Sequence, residues 1–302
     1  MRTSLVGCVQ RTKIAFGWCV PSTLLLLLIA VPCPSALAAG APKAAKPASV
    51  LEEEVKSEYS RIRVRRQGSV RSLIFVRDNH DEVIESIVNV KKPYDMQAPY
   101  SRYMFASYLF QPRQQQVLIV GLGGGAMVHF LRHYAPEAEV TTVEIDPAVV
   151  KLADRYFGVR PGKNLKIVTG DGLQFLEKTD ARYDAVYMDA FLKPSADTDA
   201  TGTPLAMKTI RFYKGVQEKL KAGGVVAFNL NEHKGLEDDL TTLRQAFPQL
   251  YVFRLGGGNV VAVGTMETAR QPLATLVTRA REIDRRFKTT FSFPELLNQL
   301  SR

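Results

Sequence analysis

Residues 117–144 read VLIVGLGGGAMVHFLRHYAPEAEVTTVE, and the order of residue types in this stretch decides the fold. Val117, Leu118, Ile119 and Val120 form a short apolar run that stops at glycine, the pattern of a strand buried on both faces of a parallel sheet. Gly121, Gly123, Gly124 and Gly125 let the chain turn with no Cβ in the way, so backbone N–H groups and the start of the next helix can approach a ligand. A second apolar run, residues 140–143, delivers Glu144 and Asp146 about twenty residues later, where a carboxylate can accept hydrogen bonds from both hydroxyls of a ribose. Gly121, Gly123 and Ala126 fit G-x-G-x-x-G/A, and the competing reading is a tight strand-to-helix turn without a ligand.

Downstream, the same alternation of apolar runs and helical segments continues. A third strand over 165–168 ends in Thr169-Gly170-Asp171-Gly172. There Asp171 can accept from an adenine amino group, cap the following helix, or do both. A fourth strand, 183–188, ends in Asp189-Ala190-Phe191, which places an acid at the crevice beside the glycine turn. Asp189 can steer or deprotonate an acceptor, or can be a structural acid. Residues 193–203, KPSADTDATGT, read as a polar, flexible loop and a candidate lid. A helix over 211–220 follows, Gly223-Gly224 closes its trailing turn, and 225–230 is a fifth strand. The runs YVFRL and NVVAVGT, joined at Gly256-Gly257-Gly258, lie too close for a parallel crossover and must pair antiparallel.

Upstream, SRIRVRR, RSLIFVRD and EVIESIVNV alternate and are separated by turn residues, which predicts a small antiparallel sheet. Residues 94–110 read as a loop entering a helix rich in aromatic residues. The first forty residues carry Arg2, Arg11 and Lys13, an apolar middle over 24–31 and the A-x-A-like Ala36-Leu37-Ala38, the pattern of an export signal. The expected organisation is a signal peptide over 1–38, a linker over 39–58, a small β subdomain over 59–98 and a large α/β nucleoside-binding domain over 99–302. That pattern predicts a periplasmic or secreted protein without a transmembrane span in the mature chain; without the signal reading the chain would be cytoplasmic. Cys8, Cys19 and Cys33 all lie in the signal stretch, so the rest of the chain has no thiol or disulfide chemistry.

Lys and Arg outnumber Asp and Glu 40 to 30, giving a formal charge of +10. Arg61, Arg63 and Arg65 alternate along one face of a strand, with no interleaved aromatics of the kind that stack on bases. A solvated surface explains this better than a nucleic-acid partner.

The series GLGGG, VEID, GDG, YDAVYMDAF and TPLAMKTIRFYKGVQEKLKAGGVVAFNLN resembles the spermidine synthase family, whose members share the fold of class I S-adenosylmethionine-dependent methyltransferases. The resemblance covers residues 61–265. It implies an α/β, Rossmann-like class I methyltransferase fold: a mostly parallel seven-stranded sheet with an antiparallel C-terminal hairpin, preceded by the small β-sheet. It also implies that Gly121, Gly123 and Gly125, with Gly124 beside them, cradle the tail of S-adenosylmethionine or its decarboxylated form. Glu144, with Asp146, would hold the ribose, Asp171 and Gly172 the adenine, and Asp189 would stand at the transfer centre. Tyr100, Tyr103, Phe191 and Tyr213 are the candidate acceptor pocket. No metal is expected, the acceptor is unidentified, and a homodimer is compatible with the pattern.

The chain departs from the polyamine-making members at three places. Their glycine loop carries an acid where this chain has Gly123, Gly124 and Gly125. Their Tyr-His-Glu stretch is met here only by Tyr100-Ser101-Arg102-Tyr103. Their Asp-Ser-Ser-Asp-Pro run is replaced by Asp189-Ala190-Phe191-Leu192. Burying an amine without those counter-charges is costly, so methyl transfer is expected ahead of aminopropyl transfer. A non-catalytic nucleoside-binding protein is a further alternative, and a nicotinamide-dependent oxidoreductase is disfavoured by Asp171 and the terminal hairpin.

Overall fold

The computed structural model describes residues 48–301. The signal-like stretch, residues 1–38, and the first part of the expected linker lie outside the described residues. None of the described helices is long and apolar enough to cross a membrane.

Four strands come first: β1 (Val50–Lys56), β2 (Arg61–Gln67), β3 (Val70–Val76) and β4 (Glu82–Asn89), paired antiparallel in chain order. The first of them occupies residues assigned to the linker from sequence. The reason is charge pairing: Glu54 binds Arg61 and Arg63, and Glu52 binds Arg66 and Arg71, so an acidic strand zips onto a basic one. The arginines that alternate along β2 are therefore engaged within the sheet. Its other face carries Ile62, Val64 and Leu73, all fully buried in the same apolar core as the large domain.

A short helix, α1 (Pro99–Met104), leads into the large domain. There β5 (Gln116–Val120), α2 (Ala126–Tyr134), β6 (Glu139–Glu144), α3 (Pro147–Phe157), β7 (Leu165–Thr169), α4 (Gly172–Lys178) and β8 (Tyr183–Met188) alternate. They are followed by α5 (Ile210–Glu218), β9 (Leu220–Asn231), α6 (Leu236–Ala246), β10 (Gln249–Arg254), β11 (Asn259–Thr265) and α7 (Leu273–Phe287). The seven strands of this domain form one sheet in the order β10-β11-β9-β8-β5-β6-β7. Strands β5 to β9 run parallel, and β11 alone is reversed, pairing antiparallel with both β9 and β10. Two apolar layers cover the two faces, one holding Phe130, Leu152 and Leu276 and the other Leu176, Val216 and Leu240. This is the doubly wound arrangement that continuous apolar strands require.

Two local differences from the sequence expectation have simple causes. Gly223 and Gly224 lie inside β9 instead of ending α5. They form an irregularity at which Tyr183 pairs with Leu220 while Ala185, two residues on, pairs with Val225. A Cβ on Gly224 would lie 2.9 Å from the Tyr183 carbonyl oxygen, so the glycine permits the strands to close there. The loop over 193–203, expected to be flexible, is tied down. Leu192 N–H donates to Gly202, and the Asp199 carboxylate accepts from the N–H groups of Thr201 and Thr203.

The chain leaves β5 for β6 and β7 on one side and returns to β8 and β9 on the other, so β5 and β8 flank the switch point where open α/β sheets bind ligands. The turn after β5 fits there because Gly121, at φ +98, has no Cβ: one would stand 2.1 Å from the carbonyl oxygen of Asp189. Replacing Gly121 with alanine combines backbone strain with a backbone clash, and a loss of about 3 kcal/mol or more is expected. Thermal melting checks this; a melting temperature within about 2 °C of the parent would contradict the account.

Candidate functional site

A cavity of about 460 Å³ opens at the switch point, within the size range of small-molecule sites. Its floor is the turn after β5, its sides are the ends of β6, β7, β8 and β9, and its roof is the small sheet. Gly121 and Gly123 line it. Gly124 and Gly125 do not: their α-carbons face Phe157 with Ser86, and Val159, respectively, and a Cβ on Gly125 would come within 2.4 Å of Val159. Gly125 instead supplies the left-handed residue (φ 70) from which α2 starts. The small sheet meets the turn directly, because Gly124 N–H donates to Ser86 Oγ at 2.9 Å.

Glu144 lies at the end of β6, 8 % exposed, and lines the cavity. Its Oε2 accepts from Leu122 N–H at 2.9 Å and its Oε1 from Asp146 N–H at 3.0 Å. Burial pushes its carboxyl pKa up, against the pull of those N–H groups. Each oxygen keeps a lone pair for a further donor. Asp171 and Gly172 line the cavity at the end of β7, and Asp171 Oδ1 also caps α4 by accepting from Leu173 N–H. Asp171 thus caps the helix while facing the cavity. Asp146 is a correction to the sequence reading. It is 2 % exposed, lies outside the cavity lining, caps α3 through Ala148 N–H, and accepts from Ser57 Oγ at 2.5 Å.

Asp189 sits past the end of β8 with both oxygens engaged. Oδ1 accepts from Asn229 Nδ2 at 2.8 Å and Oδ2 from the Tyr100 hydroxyl at 3.3 Å. Desolvation raises its pKa to about 6 although both hydrogen bonds oppose the shift. Tyr100 is held as a neutral donor, since burial and the nearby Asp189 and Glu85 carboxylates push its own pKa well up. Asn259 Nδ2 donates to Asn229 Oδ1 and Asn231 Oδ1, so a chain of amides fixes the orientation of the group that holds Asp189.

Of the four candidate acceptor residues, Tyr100 and Phe191 line the cavity and the other two do not. Tyr103 packs its ring 6.0 Å from that of Phe253, and Tyr213 is 2 % exposed among Phe212, Phe228 and Phe247. Aromatic spacing alone does not separate a core face from a pocket face.

The sequence reading missed Glu85, Ser86, Arg77 and Asn229. Asn229 stands near the end of a strand, and that position was the available signal. Glu85 gave none. Opposite it the β3–β4 ladder slips, with Leu73 facing Ser86 and Ile74 facing Ile84, so Glu85 is the extra residue of a β-bulge and turns into the cavity. Desolvation, with the Asp189 charge adding to it, raises its pKa to about 7. Among the described residues lining the cavity, Arg77 is the one with a basic side chain, and its guanidinium makes no hydrogen bond or ion pair with them.

Beside the cavity, Asp199, His233 and Asp239 come close enough to hold a metal ion. The Lys208 ammonium already stands among them, paired with Asp199 and 2.6 Å from Asp239 Oδ2 and 3.2 Å from His233 Nε2. Burial opposes the charge of Asp199, but Lys208, the Thr201 hydroxyl and the backbone N–H groups of Thr203 and Thr201 outweigh it and hold its pKa down at about 2. The group pins the loop over 193–203 to the large domain.

The model of the spermine/spermidine synthase domain matches residues 99–254, just over half of the chain. A polyamine aminopropyltransferase of Vibrio vulnificus (strain CMCP6) is 30% identical over 213 residues, covering 68% of this chain and 68% of that protein. An eEF1A lysine and N-terminal methyltransferase homolog of Drosophila melanogaster is 30% identical over 147 residues; the match covers 47% of this chain and 22% of that longer protein. In fold, the chain is similar to human methyltransferase-like protein 13 in complex with SAH, with a TM-score of 0.59, 24% identity and coverage of 65% of this chain and 95% of that one.

Two measurements check the assignments made from geometry. Asp146→Ala removes a helix cap and is expected to cost about 1–2 kcal/mol of stability while leaving nucleoside affinity within about threefold; a larger loss of affinity would return Asp146 to the site. Glu85→Gln should stabilise the ligand-free protein at pH 8 but not at pH 4.5. A carboxyl raised to about 7 contributes its stability below its unfolded pKa and loses it as pH rises through 7. The gap at pH 8 is on the order of 2 kcal/mol, and equal melting shifts at the two pH values would contradict it.

Proposed function

The chain belongs to the spermine/spermidine synthase domain family, and on that premise we propose that it transfers a methyl group from S-adenosylmethionine to a nucleophilic acceptor. The curated relatives include aminopropyltransferases and methyltransferases, and transfer from an S-adenosylmethionine-type cosubstrate is their common ground. The observation that carries the finer reading is the makeup of the cavity. Arg77 brings to the cavity a guanidinium that can pair with a carboxylate, which the decarboxylated cosubstrate lacks, and beyond Asp189 the wall continues as Ala190, Phe191 and Leu192 with no second acid.

The residues present fit such a cosubstrate. Glu144 and Asp171 stand on adjacent strands β6 and β7, each with acceptor capacity toward the cavity, and Gly121 lets the backbone come close where a Cβ would not fit. The cosubstrate supplies a carbon made electrophilic by an attached sulfonium sulfur. The protein supplies position: Glu144 and Asp171 hold the nucleoside, and Asp189, fixed by Asn229 and Tyr100, orients the acceptor for in-line attack.

A second reading, aminopropyl transfer to an amine, draws support from Glu85, which adds a carboxylate to the cavity from the small sheet. The residue pattern of positions 1–38 keeps export within the proposal.

Titration calorimetry with S-adenosylmethionine, its decarboxylated form and NAD, side by side, separates these readings. Tighter binding of the carboxylate-bearing sulfonium is expected, with Glu144→Gln weakening it about tenfold or more. Preference for the decarboxylated form would favour aminopropyl transfer, and binding of NAD alone would overturn the transferase reading.

A further inference from the structure

Asp189 is the obvious proton acceptor in the cavity, yet its two hydrogen bonds favour its ionised form and so weaken it as a base. Both of its oxygens already accept hydrogen bonds, from Asn229 and Tyr100. Glu85 is differently placed. The β-bulge turns it into the cavity, it is half-buried, and its carboxylate has no hydrogen-bond or ion-pair partner among the described residues. The Tyr100 hydroxyl lies between the two residues, reaching Asp189 Oδ2 at 3.3 Å and the main-chain carbonyl oxygen of Glu85 at 3.5 Å. A bulge that aims an unpartnered carboxylate into a ligand cavity leaves that carboxylate available for chemistry.

We propose that Glu85 is the proton-accepting group of this site and that entry of a sulfonium cosubstrate primes it by driving it from the neutral to the ionised form. The proposal rests on the reading of the cavity as a sulfonium nucleoside site. In the empty cavity Glu85 faces Asp189 from β8, Glu144 from β6, Tyr100 from α1 and Arg77 after β3. Burial and the acids favour its neutral form, and Arg77 opposes them only in part. A cation entering this cavity favours the ionised form, and the carboxyl proton leaves to solvent. The acceptor's lone pair then attacks the sulfonium-bound methyl carbon, the new bond forms as the carbon–sulfur bond breaks with its electron pair going to sulfur, and the acceptor's proton passes to the Glu85 carboxylate. Asp189 serves as the fixed partner that orients the acceptor.

The test needs no acceptor. Calorimetric titrations at pH 7 in two buffers of different ionisation enthalpy report the protons released when S-adenosylmethionine or S-adenosylhomocysteine binds. The two ligands share the same amino-acid tail and differ by the sulfonium charge. The expected result is release of about half a proton with S-adenosylmethionine, from a group at about 7, and much less with S-adenosylhomocysteine. Release should vanish at pH 9, where Glu85 is already ionised. In Glu85→Gln the difference between the ligands should disappear, while S-adenosylhomocysteine still binds within about threefold, which also reports that the variant is folded. Binding of S-adenosylmethionine to the parent without proton release would overturn the proposal; release undiminished in Glu85→Gln would overturn it too and assign the titration to Asp189 or Glu144. Binding of neither ligand would remove the cofactor reading and this proposal together, an outcome distinct from binding without release.

Discussion

The architecture depends on one close approach, that of the backbone of Gly121 to the carbonyl of Asp189 across the ends of β5 and β8. A Cβ at Gly121 would stand 2.1 Å from the Asp189 carbonyl oxygen, so any side chain there would force these two strand ends apart. The contact is locked from both sides, since Asp189 N–H donates to Val120 and Gly121 N–H to Val143. Those bonds fix where β5 stops, where Asp189 emerges, and how far Glu144 and Asp189 stand across the turn from each other. The cavity is what remains where the parallel strands β6 to β9 end around the glycine-rich turn that follows β5.

Acids dominate that cavity, and their burial opposes stability. Glu85, Asp189 and Glu144 are all shifted toward the neutral form, chiefly by desolvation. Removing a carboxyl from water without full compensation is tolerated in a fold only when other packing offsets it. Here the offset comes from two continuous apolar layers on the faces of the sheet. In Asp199 the balance tips the other way, because an ammonium and several donors surround it. The same residue type thus holds a loop in place at one spot and carries a tunable charge at another.

Much of this was legible in the sequence because the signals were local. Apolar runs ending at glycine mark β5 and its turn, and acids placed at the ends of successive strands mark Glu144, Asp171 and Asp189. Antiparallel pairing of β10 with β11 follows from the short connection between them. What was not legible depends on partners distant in the chain. Strand β1 is made by arginines of β2 and β3, and its own sequence, VLEEEVK, reads as charged linker. Asp146 carries the residue type and position of a ribose ligand, yet faces α3 and Ser57. Tyr213 belongs to the core and Tyr103 packs half-buried against it, away from the cavity, a distinction only packing makes. Glu85 enters the cavity through a one-residue slip in strand register, and nothing in EVIESIVN announces a slip.

The small sheet also bears on how such a protein can vary. It looks in sequence like an appendage, but Ile62, Val64 and Leu73 lie in the same core as α2 and α3, and Arg71 donates to the Tyr156 carbonyl of α3. It therefore cannot be exchanged like a bead on a string: the large domain without it would expose apolar core and lose the roof of its own cavity. A new acceptor preference is then most readily reached by sliding or bulging a roof strand over an unchanged floor. The register of β4 decides which of its side chains faces the cavity, and insertion of a single residue there would change it.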